Sequence, residues 1–107
     1  MGKTIISPDQ CFEWDENKSR SNKEFHGLYF DEILSAFDDP YLLETYDEAH
    51  SIITEVRFKG LAELQDSIIL YMSYTELESG RTRIISVRSA EPIEERMYYE
   101  WRKNYIS

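Results

Sequence analysis

The stretch Thr82-Arg83-Ile84-Ile85-Ser86-Val87-Arg88-Ser89-Ala90 decides the fold, because it sets two guanidinium groups and a hydroxyl into an otherwise β-branched, core-seeking strand. Upstream, Glu76-Leu77-Glu78-Ser79-Gly80 has the length and composition of a hairpin loop, and residues 67–75 before it are strongly β-forming. Two antiparallel neighbours are therefore expected. Downstream, Pro92 suits a first helical turn, and Glu91, Glu94 and Glu95 favour the positive end of a helix dipole. Ile93, Met97, Trp101 and Tyr105 recur four residues apart, a stripe expected to pack on the sheet.

Toward the N-terminus, Cys11-Phe12-Glu13-Trp14 suggests a brief strand. Asp15 then caps a helix running from Glu16 to about Phe25, with Gly27 as its left-handed stop. That helix is polar almost all round, so something other than a broad apolar stripe must hold it. Phe30, Ile33, Leu34 and Phe37 have the spacing of a second helix, ended by Asp38-Asp39-Pro40. Residues 41–46 read as a short strand, and residues 52–58 as another that presents Arg57 to solvent or to a ligand. The order β, α, α, several strands, α describes one α+β domain over residues 1–107, with an antiparallel sheet, two N-terminal helices and one C-terminal helix. Residues 1–10 read as a loosely held lead.

The chain is acidic, with 21 Asp and Glu against 12 Lys and Arg and a formal net charge of −9. Broad nucleic-acid binding needs a positive surface, so this balance argues against it. The total hides a split: residues 28–78 carry 2 basic and 12 acidic side chains, whereas residues 81–103 carry 6 and 4. A local anion site on an acidic body remains open. The lone Cys11 and the lack of a Cys/His cluster indicate a reducing compartment with no metal or other cofactor. No apolar run approaches the ~20 residues of a membrane span, so a cytoplasmic location without membrane association is expected.

Across this order lie Phe12-Glu13-Trp14-Asp15-Glu16-Asn17-Lys18, Asn22, His26-Gly27, Phe30 and Phe37-Asp38-Asp39-Pro40. They are followed by Asp47-Glu48, His50-Ser51, Arg57-Phe58, Arg83-Ile84-Ile85-Ser86-Val87-Arg88, Glu94, Arg96 and Tyr98. In these pieces the sequence resembles the BrnT family, ribonuclease toxins of bacterial toxin–antitoxin systems with a RelE-like fold. The resemblance implies cleavage of single-stranded RNA by attack of a 2′-hydroxyl on the neighbouring phosphate. It also implies a cognate ribbon-helix-helix antitoxin, BrnA-like, through which alone the toxin would meet DNA. Where the family has Lys after the strand arginine and a Thr- and Arg-rich helix start, this chain has Ser89, Glu91, Pro92, Ile93, Glu95 and Met97. An alternative function follows from those departures: a catalytically weak or inactive toxin-fold protein that acts as the interaction partner of a DNA-binding repressor.

Such cleavage needs a group to take the 2′-proton, cations to stabilise charge on phosphorus, and a proton for the leaving 5′-oxygen. Arg88 suits phosphate stabilisation, since guanidinium binds phosphate oxygens in a bidentate fork; the bland reading pairs it with an acid of the last helix. Arg83 can join it only if the strand bulges, because residues 83 and 88 fall on opposite faces of a regular strand. Arg57 is a further phosphate ligand or part of an ordinary charged face. His26 has the intrinsic pKa for proton transfer, or else interacts with a helix C-terminus. Tyr98 is catalytic or widens the buried stripe. Lys18 and Asn22, one helical turn apart, are candidate RNA contacts together with Ser86 and Arg96.

Overall fold

In the computed structural model, which describes residues 2–106, six strands form one sheet in the order β1-β2-β6-β5-β4-β3. The strands are β1 Thr4–Ile6, β2 Phe12–Asp15, β3 Leu43–Tyr46, β4 Arg57–Leu64, β5 Ile68–Glu76 and β6 Thr82–Ser89. The helices are α1 Glu16–His26 and α2 Pro92–Ile106. β2 runs parallel to β6 while the other pairs are antiparallel, so the sheet is mixed and not antiparallel throughout as expected. The N-terminal lead is not loose either: β1 pairs with β2, and Glu16 N–H donates to Lys3 O at 2.9 Å.

α1 begins where its cap dictates. Asp15 is extended (φ −82°, ψ 126°), and its carboxylate accepts from Asn17 N and Lys18 N at 2.8 and 3.1 Å. Gly27 ends the helix at φ 78°, a conformation that costs a side-chain-bearing residue more. The attachment of this polar helix is itself polar. Ser19 Oγ accepts from Phe30 N at 2.9 Å, and Asn22 Nδ2 donates to Leu28 O at 2.9 Å. Asn22 Oδ1 accepts from Val87 N at 3.0 Å, at the edge of β6 beyond its short pairing with β2. Two buried side chains thereby satisfy backbone groups that would otherwise be stranded.

The second N-terminal helix does not form, which leaves two α-helices and not three. Its place is taken by 3-10 turns at Phe30–Glu32 and Leu34–Asp38. Repeating every three residues, that geometry aligns Phe30, Ile33 and Ala36, all fully buried. The apolar pattern was a true core signal with a different helical period. Residues 52–55 form a tight turn, Ile52 and Glu55 exchanging backbone hydrogen bonds at 2.9 and 3.0 Å, so the expected strand starts only at Arg57.

The main core lies between α1, the 3-10 turns and one sheet face, around Trp14, Phe30, Leu70, Met72, Tyr74, Ile84 and Val87. Gly60 lies directly beneath the Tyr74 ring, where an added Cβ would come within 3.0 Å of it. A smaller core of Leu61, Ile69 and Tyr98 lies under α2 on the opposite face. The expected α2 stripe does not pack there: Ile93 is 60% exposed, Met97 52%, Trp101 39% and Tyr105 62%. Helix α2 docks through a neighbouring stripe, Glu94, Tyr98 and Arg102, whose outer members pair with Arg88 and Glu63. Tyr98 Oη also donates to Asp39 Oδ2 at 2.5 Å. Ion pairs at both ends of one buried aromatic outweigh the apolar row in orienting the helix.

Candidate active site

The register of β5 and β6 shifts between Ser73 and Tyr74: Ser73 faces Ser86, Tyr74 faces Ile84, and Ile85 is the extra residue. This bulge inverts the side-chain alternation between the two halves of β6. Ile84 and Val87 consequently point into the same core, while Arg83 and Arg88 share the opposite face. Three cross-strand rows follow from the pairing. One is Glu13, Arg83, Thr75 and Arg57; the next is Ser86, Ser73, Lys59 and Thr45; the third is Arg88, Tyr71, Leu61 and Leu43. α2 covers the apolar end of the third row and leaves a charged, hydroxyl-rich face beside it.

The cations of this face are met by carboxylates. Arg83 binds Glu13, which also lies 3.8 Å from Arg81, and Arg57 reaches Glu55 at 3.4 Å. Lys59 stands 4.0 Å from buried Asp47, whose other oxygen accepts His50 Nδ1 at 2.9 Å. Arg88 makes a bidentate pair with Glu94 at 2.8 and 2.9 Å. That fork holds the Glu94 carboxyl below the usual carboxylate range and pushes Arg88 up. The Nε atoms of Arg57 and Arg81 are buried and have no acceptor among the described residues. Thr75 Oγ1 is committed to Val56 O at 2.6 Å, whereas Ser86 is exposed and Ser73 half-buried. The arrangement can bind an anionic backbone across three strands and stabilise charge developing on a phosphate near Arg88. Among the described residues no group of three or more His, Cys, Asp or Glu is placed to hold a metal ion.

The sequence profile of the ribonuclease toxin BrnT, of type II toxin–antitoxin systems, matches residues 14–94, well over half of the chain. The chain belongs to the BrnT family. Its fold is similar to the crystal structure of the Brucella abortus ribonuclease toxin BrnT, with a TM-score of 0.55 and 25% identity. That match covers 73% of this chain and 92% of the Brucella chain. No curated protein matches the sequence.

In this BrnT-family toxin the sequence candidates fall into three places. Arg57, Arg83, Ser86 and Arg88 meet on the open face. Lys18, Asn22 and His26 line a groove at the free edge of β6, where Ser86 joins the two regions. Asn22 is 6% exposed, with its amide taken up by Leu28 and Val87. The third place is α2. Tyr98 is fully buried there, its hydroxyl pushed up by burial and by the Asp39 carboxylate, and Arg96 lies on the outer surface beside Ile93 and Met97. Neither of these two reaches the charged rows.

Sequence reasoning missed Lys59, Tyr71, Ser73, Thr75 and Arg81. A signal for Tyr71, Ser73 and Thr75 exists in β5, where they alternate with apolar Leu70, Met72 and Tyr74. Among the described residues no helix is long and apolar enough to cross a membrane.

Proposed function

We propose that this toxin is a metal-independent endoribonuclease whose open sheet face binds single-stranded RNA. Arg88 stabilises the phosphate under attack by the neighbouring 2′-hydroxyl. One observation carries this reading: Arg57, Lys59, Arg83 and Arg88 are gathered with the hydroxyls of Ser73 and Ser86 on one uncovered face. Arg57 and Arg83 hold the backbone away from the scissile phosphate. Lys18, His26 and Ser86 extend the track toward α1. The proposed setting is the cytoplasm, with activity held in check by a ribbon-helix-helix antitoxin that covers the open face and carries the DNA contacts. A net charge of −9 supports leaving DNA to the partner.

The test is incubation of the purified toxin with a structureless RNA, with and without a chelator, beside Arg88→Ala. Cleavage by the parent that survives chelation and falls about 10²- to 10³-fold in the variant is expected, the usual effect of removing a transition-state donor. Equal cleavage by both proteins would remove Arg88 from the reaction, and loss of activity on chelation would remove metal independence.

A second reading, a toxin-fold protein without nuclease activity that serves a DNA-binding partner, is favoured by one observation. Each of Arg57, Lys59, Arg83 and Arg88 already faces a carboxylate. It predicts no cleavage by the parent and stable co-purification with a small DNA-binding protein from its native cells.

A further inference from the structure

The geometry points to Tyr71 as the group that gives the leaving 5′-oxygen its proton, an inference that rests on the nuclease reading above. Tyr71 stands in the row of Arg88, half-buried in β5, with the Arg88 guanidinium carbon 4.1 Å above its ring centroid. On the β4 side the Lys59 ammonium lies 5.9 Å from the same centroid. Contact with the Tyr71 hydroxyl is the first cause of the raised Lys59 pKa, which keeps that amine charged. The phenol thus has Arg88 over its ring and Lys59 beside it, at a pocket whose other walls include Leu43, Leu61, Met97 and the Glu94 carboxylate that pairs with Arg88.

Two other buried tyrosine hydroxyls are committed elsewhere. Tyr74 Oη donates to Glu44 and Tyr98 Oη to Asp39, both at 2.5 Å, and burial with a carboxylate partner pushes both hydroxyls up. Those two phenols direct their protons to carboxylates, whereas the Tyr71 phenol lies beside Arg88 and Lys59. A proton donor for this reaction must stand beside the group that holds the phosphate, and Tyr71 stacks under Arg88.

The step balances. As the 2′-oxygen bonds to phosphorus, its proton passes to solvent water. The P–O5′ bond breaks with its electron pair on the 5′-oxygen, which takes the Tyr71 proton. The resulting phenolate, flanked by Lys59 and Arg88, is reprotonated from water. The products are a 2′,3′-cyclic phosphate and a 5′-hydroxyl.

Two RNAs of one sequence test this, one with the natural 5′-oxygen and one with a 5′-bridging sulfur at the cleaved linkage, a leaving group that departs as thiolate without a proton. Tyr71→Phe keeps the ring under Arg88. The variant is expected to lose about 10²-fold or more on natural RNA, to cleave the sulfur substrate within a few-fold of the parent, and to bind a non-cleavable 2′-deoxy strand unchanged. Equal losses on both substrates, or no loss on either, would overturn the role of Tyr71 while leaving the nuclease reading intact. Failure of the parent toxin to cleave either RNA overturns that reading, and this proposal with it.

Discussion

On one face of the sheet Leu70, Met72, Tyr74, Ile84 and Val87 disappear beneath α1 and the 3-10 turns. On the other, the same two strands present Tyr71, Ser73, Arg83 and Arg88 to a surface that α2 covers only in part. The first face is closed by apolar contact with the 3-10 turns and by the polar anchors Ser19 and Asn22 of α1. The second is held by ion pairs, including the Arg88–Glu94 and Arg102–Glu63 contacts that fix α2 at its rim. The contrast suggests a division in which stability resides on the closed face and anion chemistry on the open one. The single extra residue Ile85 lets one strand serve both.

Replacing residues on the two faces should break that symmetry in opposite ways. Ile84→Ala empties a fully buried site and is expected to cost ~2–5 kcal/mol in denaturant unfolding, the usual range for such truncations. Arg88→Ala, from the same strand, should lower RNA cleavage strongly and unfolding stability by no more than about 1 kcal/mol, since its partner pair is partly solvated. Comparable destabilisation by both would show that the open face is structural after all.

The rim of the open face should be visible in acid. Glu94 is held below its ordinary pKa of 4.5 by Arg88, so its contribution to stability is fully present above that value. It is lost as pH falls through the lowered folded value. Glu94→Gln should therefore lose less stability than the parent between neutrality and about pH 3, as measured by chemical denaturation across that range. The same variant frees Arg88 and removes one negative charge, so it should bind RNA a few-fold more tightly at neutral pH. Unchanged acid sensitivity would separate Glu94 from the docking of α2. The smallest effect is expected where the apolar stripe faces outward: Trp101→Ala should shift thermal unfolding by the equivalent of about 0.5 kcal/mol or less.

Much of this architecture is legible in the sequence wherever a local rule acts alone. Asp15 and Gly27 bound α1 within a residue, and Glu76 to Gly80 marks the turn between β5 and β6. Legibility fails where distant groups compete. The period of residues 30–37 fits α-helix, yet packing selects 3-10 turns. The most apolar stripe of α2 loses to a neighbouring one because Arg88 and Glu63 attract Glu94 and Arg102. Parallel pairing of β2 with β6 has no short-range signal. In the candidate site the strand arginines announce themselves, but Tyr71 and Lys59 become meaningful only once the register puts them beside Arg88. The same register decides the fate of Arg83, whose position opposite Thr75 depends on a bulge that no composition marks.

The hydrogen bond from Val87 N to Asn22 Oδ1 makes one amide a reporter on a whole helix. Val87 lies beyond the short β2 pairing, and Asn22 is the acceptor that shields its N–H. In solvent-exchange measurements this amide should exchange whenever α1 lifts, without waiting for global unfolding. The amides that β5 and β6 donate to each other stay protected until the sheet itself opens. The slowing of the Val87 amide relative to its exchange in an unstructured chain gives the free energy of detaching α1, a quantity that melting of the entire chain would conceal.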